Sequence, residues 1–212
     1  MPGITQKQQS GCGKSTLMRL LLGFEEPDNG SVFFDNHDLS VLEKKSLRQN
    51  IGVVMQDSRL FAGSIYQNIS ISNPGMPMDD AWAVAESAGI AADIREMPMG
   101  MNTFVDETAS NISGGQKQRI IIARALAAKP NILFFDEATS ALDNVTQKIV
   151  TDTLNSLDCT RIVIAHRLST IKSCQRILML EGGHIIEDGT YEELMGHKGN
   201  FAEMVKRQQI ME

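Results

Sequence analysis

The chain has 212 residues, 42% hydrophobic and 22% charged, with 17 glycines and only 6 prolines. That is enough apolar material for a buried core, and it excludes a disordered or collagen-like chain. Its 20 basic and 26 acidic residues give a net charge of −6, which argues against a general nucleic-acid binder relying on phosphate neutralisation.

In chain order, residues 1–10 form a polar lead without the apolar stretch of a signal peptide. Residues 17–22 follow a glycine-rich turn and stop at Gly23, as a short helix closed by glycine would. Residues 31–35 and 51–55 read as strands. From about 79 to 97, the spacing of Ala81, Trp82, Ala85 and Ala88 predicts helix, with Gly89 as a stop. Ser113-Gly114-Gly115 opens a longer helix reaching Ala128. Residues 132–135, 161–165 and 176–181 then alternate with helical segments, which predicts an α/β fold around a parallel sheet. Gly182-Gly183 suggests a hairpin, and Thr190 with Glu193 has capping-box spacing before a terminal helix.

Ser10-Gly11-Cys12-Gly13-Lys14-Ser15-Thr16 carries the strongest chemical signal. Its glycines let successive backbone N–H groups converge on phosphate oxygens without Cβ clashes. Lys14 can reach the β- and γ-phosphates, the Ser15 hydroxyl can coordinate Mg²⁺, and the helix from Thr16 points its positive end at the same anion. The pattern G-x-x-x-x-G-K-[ST] has Gln8 in place of its first glycine. The apolar run at 132–135 ends in Asp136 and Glu137. There Asp136 would help hold the metal while Glu137 polarises a water for in-line attack on the γ-phosphorus.

Three cysteines, Cys12, Cys159 and Cys174, lack C-x-x-C spacing, so neither a disulfide framework nor a zinc site is expected, and a reducing compartment is. His37, His184 and His197 read as surface or turn residues. Met76, Met78, Met97, Met99 and Met101 read as gap-filling or loop residues. Lys117, Arg119 and Arg124 share one helix and read as solvated or paired. No apolar run approaches the ~18 residues of a membrane span.

The order of the remaining motifs resembles ATP-binding cassette proteins from about Gly11 to Tyr191. Ile112-Ser113-Gly114-Gly115-Gln116 is similar to their signature, Gln56 to their Q-loop residue, Ser140-Ala-Leu-Asp143 to their D-loop, and His166 to their switch histidine. The resemblance implies a P-loop NTPase with a mostly parallel sheet core, a small antiparallel β part and a helical subdomain, about 57–128, carrying the signature. It implies ATP and Mg²⁺ as cofactors, with Ser15, Gln56 and Asp136 at the metal and Lys14, Glu137 and His166 catalytic. The nucleotide would contact Gly11, Cys12, Gly13, Lys14, Ser15, Thr16 and Gln56, with Ser113, Gly114, Gly115, Gln116 and Asp143 also at the nucleotide sites. Two copies would pair head-to-tail, each nucleotide lying between one P-loop and the other signature.

Leu60-Phe-Ala-Gly-Ser-Ile-Tyr-Gln-Asn-Ile69 and Thr103-Phe-Val-Asp-Glu107 resemble the exporter Q-loop continuation and x-loop, which meet a transmembrane partner at the cytoplasmic face of the membrane. Asp106 and Ala109 stand where glycine is usual, and Ile112 where leucine is. The wording near Met97-Pro-Met-Gly100 is most similar to bacterial peptide or bacteriocin exporters. Two other readings remain: a non-transport cassette ATPase, and a cassette fragment with weak or no activity.

Residues 1–10 offer neither the strand that should feed a P-loop nor the adenine-stacking aromatic of the family. The expectation is a cassette domain spanning 11–212 that lacks its first strands. This chain should then bind ATP more weakly than a version extended upstream, with poor base discrimination; equal dissociation constants in parallel titrations would overturn that expectation.

Overall fold

A computed structural model describes residues 13–55, 57–106, 108–136, 142–165 and 168–211. In chain order these form α1 (Lys14–Leu21), β1 (Phe33–Phe34), β2 (His37–Asp38), α2 (Lys44–Gln49), β3 (Ile51–Val54), β4 (Gly63–Ser64), α3 (Ile65–Ser70), α4 (Met78–Ser87) and α5 (Ala91–Glu96). There follow β5 (Phe104–Val105), α6 (Gly114–Ala127), β6 (Ile132–Asp136), α7 (Asn144–Ser156), β7 (Thr160–Ile164), α8 (Leu168–Lys172), β8 (Ile177–Glu181), β9 (His184–Gly189), α9 (Tyr191–His197) and α10 (Asn200–Met211). Two compact units result. One is Val41–Ile164; the other joins the described residues up to Ser40 to those from Ala165 onward.

In the split unit, α1 begins at Lys14, three residues before the first apolar position that predicted it. Gly13 supplies the start with φ +94°, and Gly23 the stop with φ +65°. The strand expected at 31–35 shrinks to Phe33–Phe34. Asp35 and Asn36 take positive φ, 47° and 67°, and make a two-residue turn into β2, which pairs antiparallel with β1. Residues 176–181 do form a strand, but among the described residues it pairs only with β9, antiparallel, rather than joining the parallel sheet. The antiparallel pairing follows from the connection: Gly182 and Gly183, both at positive φ, turn the chain into β9 in two residues, far short of a parallel crossover. The Thr190–Glu193 capping box starts α9 as expected. Helix α10 is capped from a distance, because the Glu187 carboxylate of β9 accepts the Asn200 and Phe201 N–H groups at 2.6 and 3.1 Å. Leu168, Ile171, Leu194, Phe201 and Val205 form this unit's buried cluster.

In Val41–Ile164, a parallel three-stranded sheet runs in the order β3-β6-β7, with Ile51 opposite Ile132 and Asp136 opposite Ile164. The central strand β6 is apolar from Ile132 to Phe135, as suits a strand paired on both edges and buried from Leu133 onward. Gly89, at φ +68°, divides the predicted helix at 79–97 into α4 and α5. Helices α3, α4 and α6 pack together, and Ile65, Ile69, Ala81, Ala85, Ile94, Ile120 and Ile122 are fully buried among them. Met76 and Met101 fill this core, whereas Met78 and Met99 are exposed. Among the described residues, no helix is long and apolar enough to cross a membrane.

At Gly52, β3 and α6 approach each other closely. A Cβ there would lie 2.5 Å from Leu133 Cδ2 and 2.6 Å from the Ala125 carbonyl oxygen of α6. Gly52→Ala should therefore destabilise this unit by about 1–3 kcal/mol in urea denaturation; an unchanged midpoint would contradict the close seating of α6 on β3.

Candidate functional site

The described part of the phosphate-loop motif lies at the start of α1. Gly13 needs its glycine for conformation, since a Cβ would meet nothing closer than Gly183 Cα at 3.9 Å, yet φ is +94°. Gly13 offers no capping side chain, and the first turn holds no acidic residue. The positive end of the helix is thus left without a carboxylate of its own, which suits an incoming anion. Lys14 is half-buried and Thr16 exposed beside it, with Ser15 between them in the helix. Gly11, Cys12, Gln56, Glu137 and His166 lie outside the described residues.

Asp136 closes β6 at 9% exposure, with four apolar residues behind it. An oxygen donor held at the end of a rigid buried strand is the kind of ligand that fits Mg²⁺. Among the described residues, no group of three or more His, Cys, Asp or Glu could hold a metal alone. His37, His184 and His197 are exposed.

At the start of α6, the Ser113 Oγ accepts the Gln116 N–H at 3.2 Å while Gln116 Oε1 accepts the Ser113 N–H at 3.0 Å. This capping box fixes the helix entry. Gln116 is also bound outward: its Nε2 donates to Asp93 Oδ1 of α5 at 2.9 Å. Arg119 reaches the same carboxylate, 2.8 Å to Oδ2 and 3.2 Å to Oδ1, and donates to the Gly89 carbonyl at 2.6 Å. Burial pushes the Asp93 carboxyl up, but the hydrogen bonds from Gln116 and Arg119 and the Arg119 charge outweigh it and leave it below its usual range. Among the described residues, a Cβ on Gly114 would meet nothing within 4 Å.

Asp143, expected at the nucleotide, caps α7. Its Oδ1 accepts the Val145 and Thr146 N–H groups at 3.0 Å each, and its Oδ2 accepts the Thr146 hydroxyl at 2.6 Å. These bonds, the Thr146 hydroxyl foremost, hold its carboxyl below the usual range.

Sequence reasoning paired Arg124 with no particular group and passed over Asn68. Asn68 is 1% exposed and binds the Phe61 N–H (2.8 Å), the Phe61 carbonyl (2.9 Å) and the Ser64 carbonyl (3.0 Å). Arg124 of α6 donates to Asn68 Oδ1 (2.7 Å), the Asn68 carbonyl (2.9 Å) and the Arg59 carbonyl (2.8 Å), and stacks 4.6 Å from the Phe61 ring centroid. Burial lowers the Arg124 guanidinium to about 10. A buried polar pair spaced to reach across helices is not marked by any local pattern.

The segment so held pairs, through β4, with β5: Gly63 lies opposite Val105 and Ser64 opposite Phe104. Two large aromatics, Phe61 and Phe104, stand 53% and 62% exposed on this small sheet and its approach. Asp106, at a position where glycine was expected, accepts the Thr108 hydroxyl (2.7 Å), the Ser110 hydroxyl (2.9 Å) and the Ser110 N–H (3.3 Å). These bonds bring its carboxyl down to about 2. Ala109 adopts the left-handed conformation usually given to glycine, φ 50°.

Residues 9–140 match the family model described as ABC transporter, and the chain belongs to that family. It is 47% identical over 189 residues to the leukotoxin export ATP-binding protein LtxB of Aggregatibacter actinomycetemcomitans, covering 88% of this chain. It is 48% identical over 190 residues to the leukotoxin translocation ATP-binding protein LktB of Mannheimia haemolytica, again covering 88%. The match spans 27% of the length of each of these relatives. A solved structure of a bacterial Atm1-family ABC exporter with ATP bound superposes with a TM-score of 0.90 at 42% identity, covering 94% of this chain and 35% of that one.

Asn68→Leu fills the same space but strands the Phe61 amide and carbonyl and one Arg124 donor. The expected cost is about 2–4 kcal/mol in urea denaturation; a near-neutral change would mean that these bonds do not hold residues 59–64 on α6.

Proposed function

We propose that the chain is the ATP-hydrolysing motor domain of an ABC exporter, working as a head-to-tail pair of copies with two nucleotides enclosed between them. One observation carries this reading: Gly114 has helical backbone and open space where a side chain would be, so among the described residues nothing demands glycine there. A glycine beside a serine-capped helix start leaves room for a phosphate from outside. Helix α1 offers a second such start, without a cap from its own first turn. A nucleotide held by Gly11, Cys12, Gly13, Lys14, Ser15 and Thr16 of one copy would complete its contacts on Ser113, Gly114 and Gly115 of the other.

Within that arrangement, Lys14 neutralises charge on the β- and γ-phosphates. Ser15, Gln56 and Asp136 would hold Mg²⁺, which when bound supplies positive charge to the phosphoryl oxygens. Glu137 accepts a proton from the attacking water, and His166 orients that water against the γ-phosphate. Gln116 and Asp143 act by setting the backbone on either side, since their side chains are engaged in capping α6 and α7. Loss of the γ-phosphate removes the bridge between copies, which turns hydrolysis into separation.

The Phe61 and Phe104 face supports docking of a transmembrane partner at the cytoplasmic side of a membrane, because two exposed aromatics on a braced segment are a ready apolar contact. The names of the leukotoxin-exporting relatives support a peptide or protein as cargo.

Glu137→Gln retains binding but lacks the base, so MgATP should convert it into a stable dimer by size-exclusion chromatography with light scattering. A monomer at saturating MgATP would count against the shared-nucleotide arrangement.

A further inference from the structure

The start of α6 is tied to two other elements through one carboxylate. Asp93 of α5 takes one hydrogen bond from Gln116 and two from Arg119. Gln116 is the residue that closes the cap on Ser113. Arg119 in turn donates to the Gly89 carbonyl, and Gly89 lies directly against α7: a Cβ there would begin 3.5 Å from Ile149 Cγ2 and 3.6 Å from Thr146 Cγ2. Thr146 is itself bound to Asp143 by both its hydroxyl and its N–H. Hydrogen bonds therefore join Ser113, Gln116, Asp93, Arg119 and Gly89 in series, and a second set joins Thr146 to Asp143, with Gly89 placed beside Thr146.

Resting on the shared-nucleotide reading above, we infer that Asp93 is a positioning residue, which fixes the Ser113 end of α6 relative to the Asp143 cap of α7 so that both meet the second copy's nucleotide as one rigid edge. Asp93 does not touch the nucleotide. The pair with Arg119 is partly buried, with side-chain exposures of 13% for Arg119 and 27% for Asp93, so solvent screens it less than a surface pair. The burial of a charge-assisted fork is costly unless its partners stay in place, and here the partners are the machinery's own backbone.

The reading separates two quantities that ordinary damage to folding would lower together. Nucleotide binding to a dilute single copy depends on the Gly13–Lys14 end and not on Asp93. Closure of two copies depends on Ser113 and Asp143, and so on Asp93. In the full chain carrying Glu137→Gln, Asp93→Asn should raise the MgATP concentration for half-maximal dimer formation about tenfold, the loss of one charge-assisted bond, with single-copy binding of a fluorescent ATP analogue changed less than about twofold. Arg119→Gln should act likewise, and the double variant should shift no further than the larger single one.

An unchanged dimer midpoint in Asp93→Asn, additive shifts in the double variant, or an equal loss of single-copy binding would each overturn the positioning role. Failure of the chain with Glu137→Gln alone to dimerise would overturn the shared-nucleotide reading and the positioning role with it. Normal dimerisation of that chain beside an insensitive Asp93→Asn would overturn the positioning role only.

Discussion

Helix α6 meets the sheet with its backbone as well as with buried side chains. The Ala125 carbonyl lies so close to Gly52 that no other residue fits at position 52 without displacement. This approach holds the helix rigidly in the Val41–Ile164 unit, and the polar contacts of that unit are built outward from it. Arg124, just before the close approach, grips residues 59–68. Arg119, farther toward the start, grips Asp93 and Gly89. One helix therefore braces the segment bearing exposed Phe61 and, at its other end, the serine-capped start at Ser113. A helix seated by soft side-chain packing could slide relative to either; backbone contact leaves little freedom.

The chemistry of the two arginines differs although they lie on the same helix. Arg119 has a carboxylate partner and forms a conventional, partly buried ion pair. Arg124 is surrounded by carbonyl oxygens, an amide and an aromatic face, and its burial makes the guanidinium less basic than usual. Neutral acceptors make Arg124 a directional clamp rather than a charge partner, because a planar fork satisfied by three oxygens has few alternative placements.

Local patterns in the sequence carried much of this organisation. Period and flanking residues located the strands at 51–54, 132–136 and 160–164, because each is a short apolar run between polar stops. The Thr190 cap followed from spacing alone. What escaped was set by partners distant in the chain. The 26-residue reach from Asp93 to Arg119 and the 56-residue reach from Asn68 to Arg124 leave no local imprint. The Gly182-Gly183 hairpin joining β8 to β9 was legible, but the apolar run of β8 did not say that, among the described residues, it would stand outside the parallel sheet. At the candidate site, the family resemblance put Ser113, Gln116 and Asp143 among the nucleotide residues, but could not tell a side chain that touches a ligand from one that shapes the backbone. In the hydrogen bonds they make, Gln116 and Asp143 cap α6 and α7.

The central claim is that the Ser113 end of α6 is completed by a nucleotide brought by a second copy. Amide hydrogen exchange across residues 113–116 tests it most directly, measured with MgATP over a range of protein concentrations in the Glu137→Gln chain. The account predicts protection at 113–116 that appears only with MgATP and rises with protein concentration, while protection at 13–16 follows nucleotide alone. Protection at 113–116 that is independent of protein concentration, or absent at saturating MgATP, would contradict it.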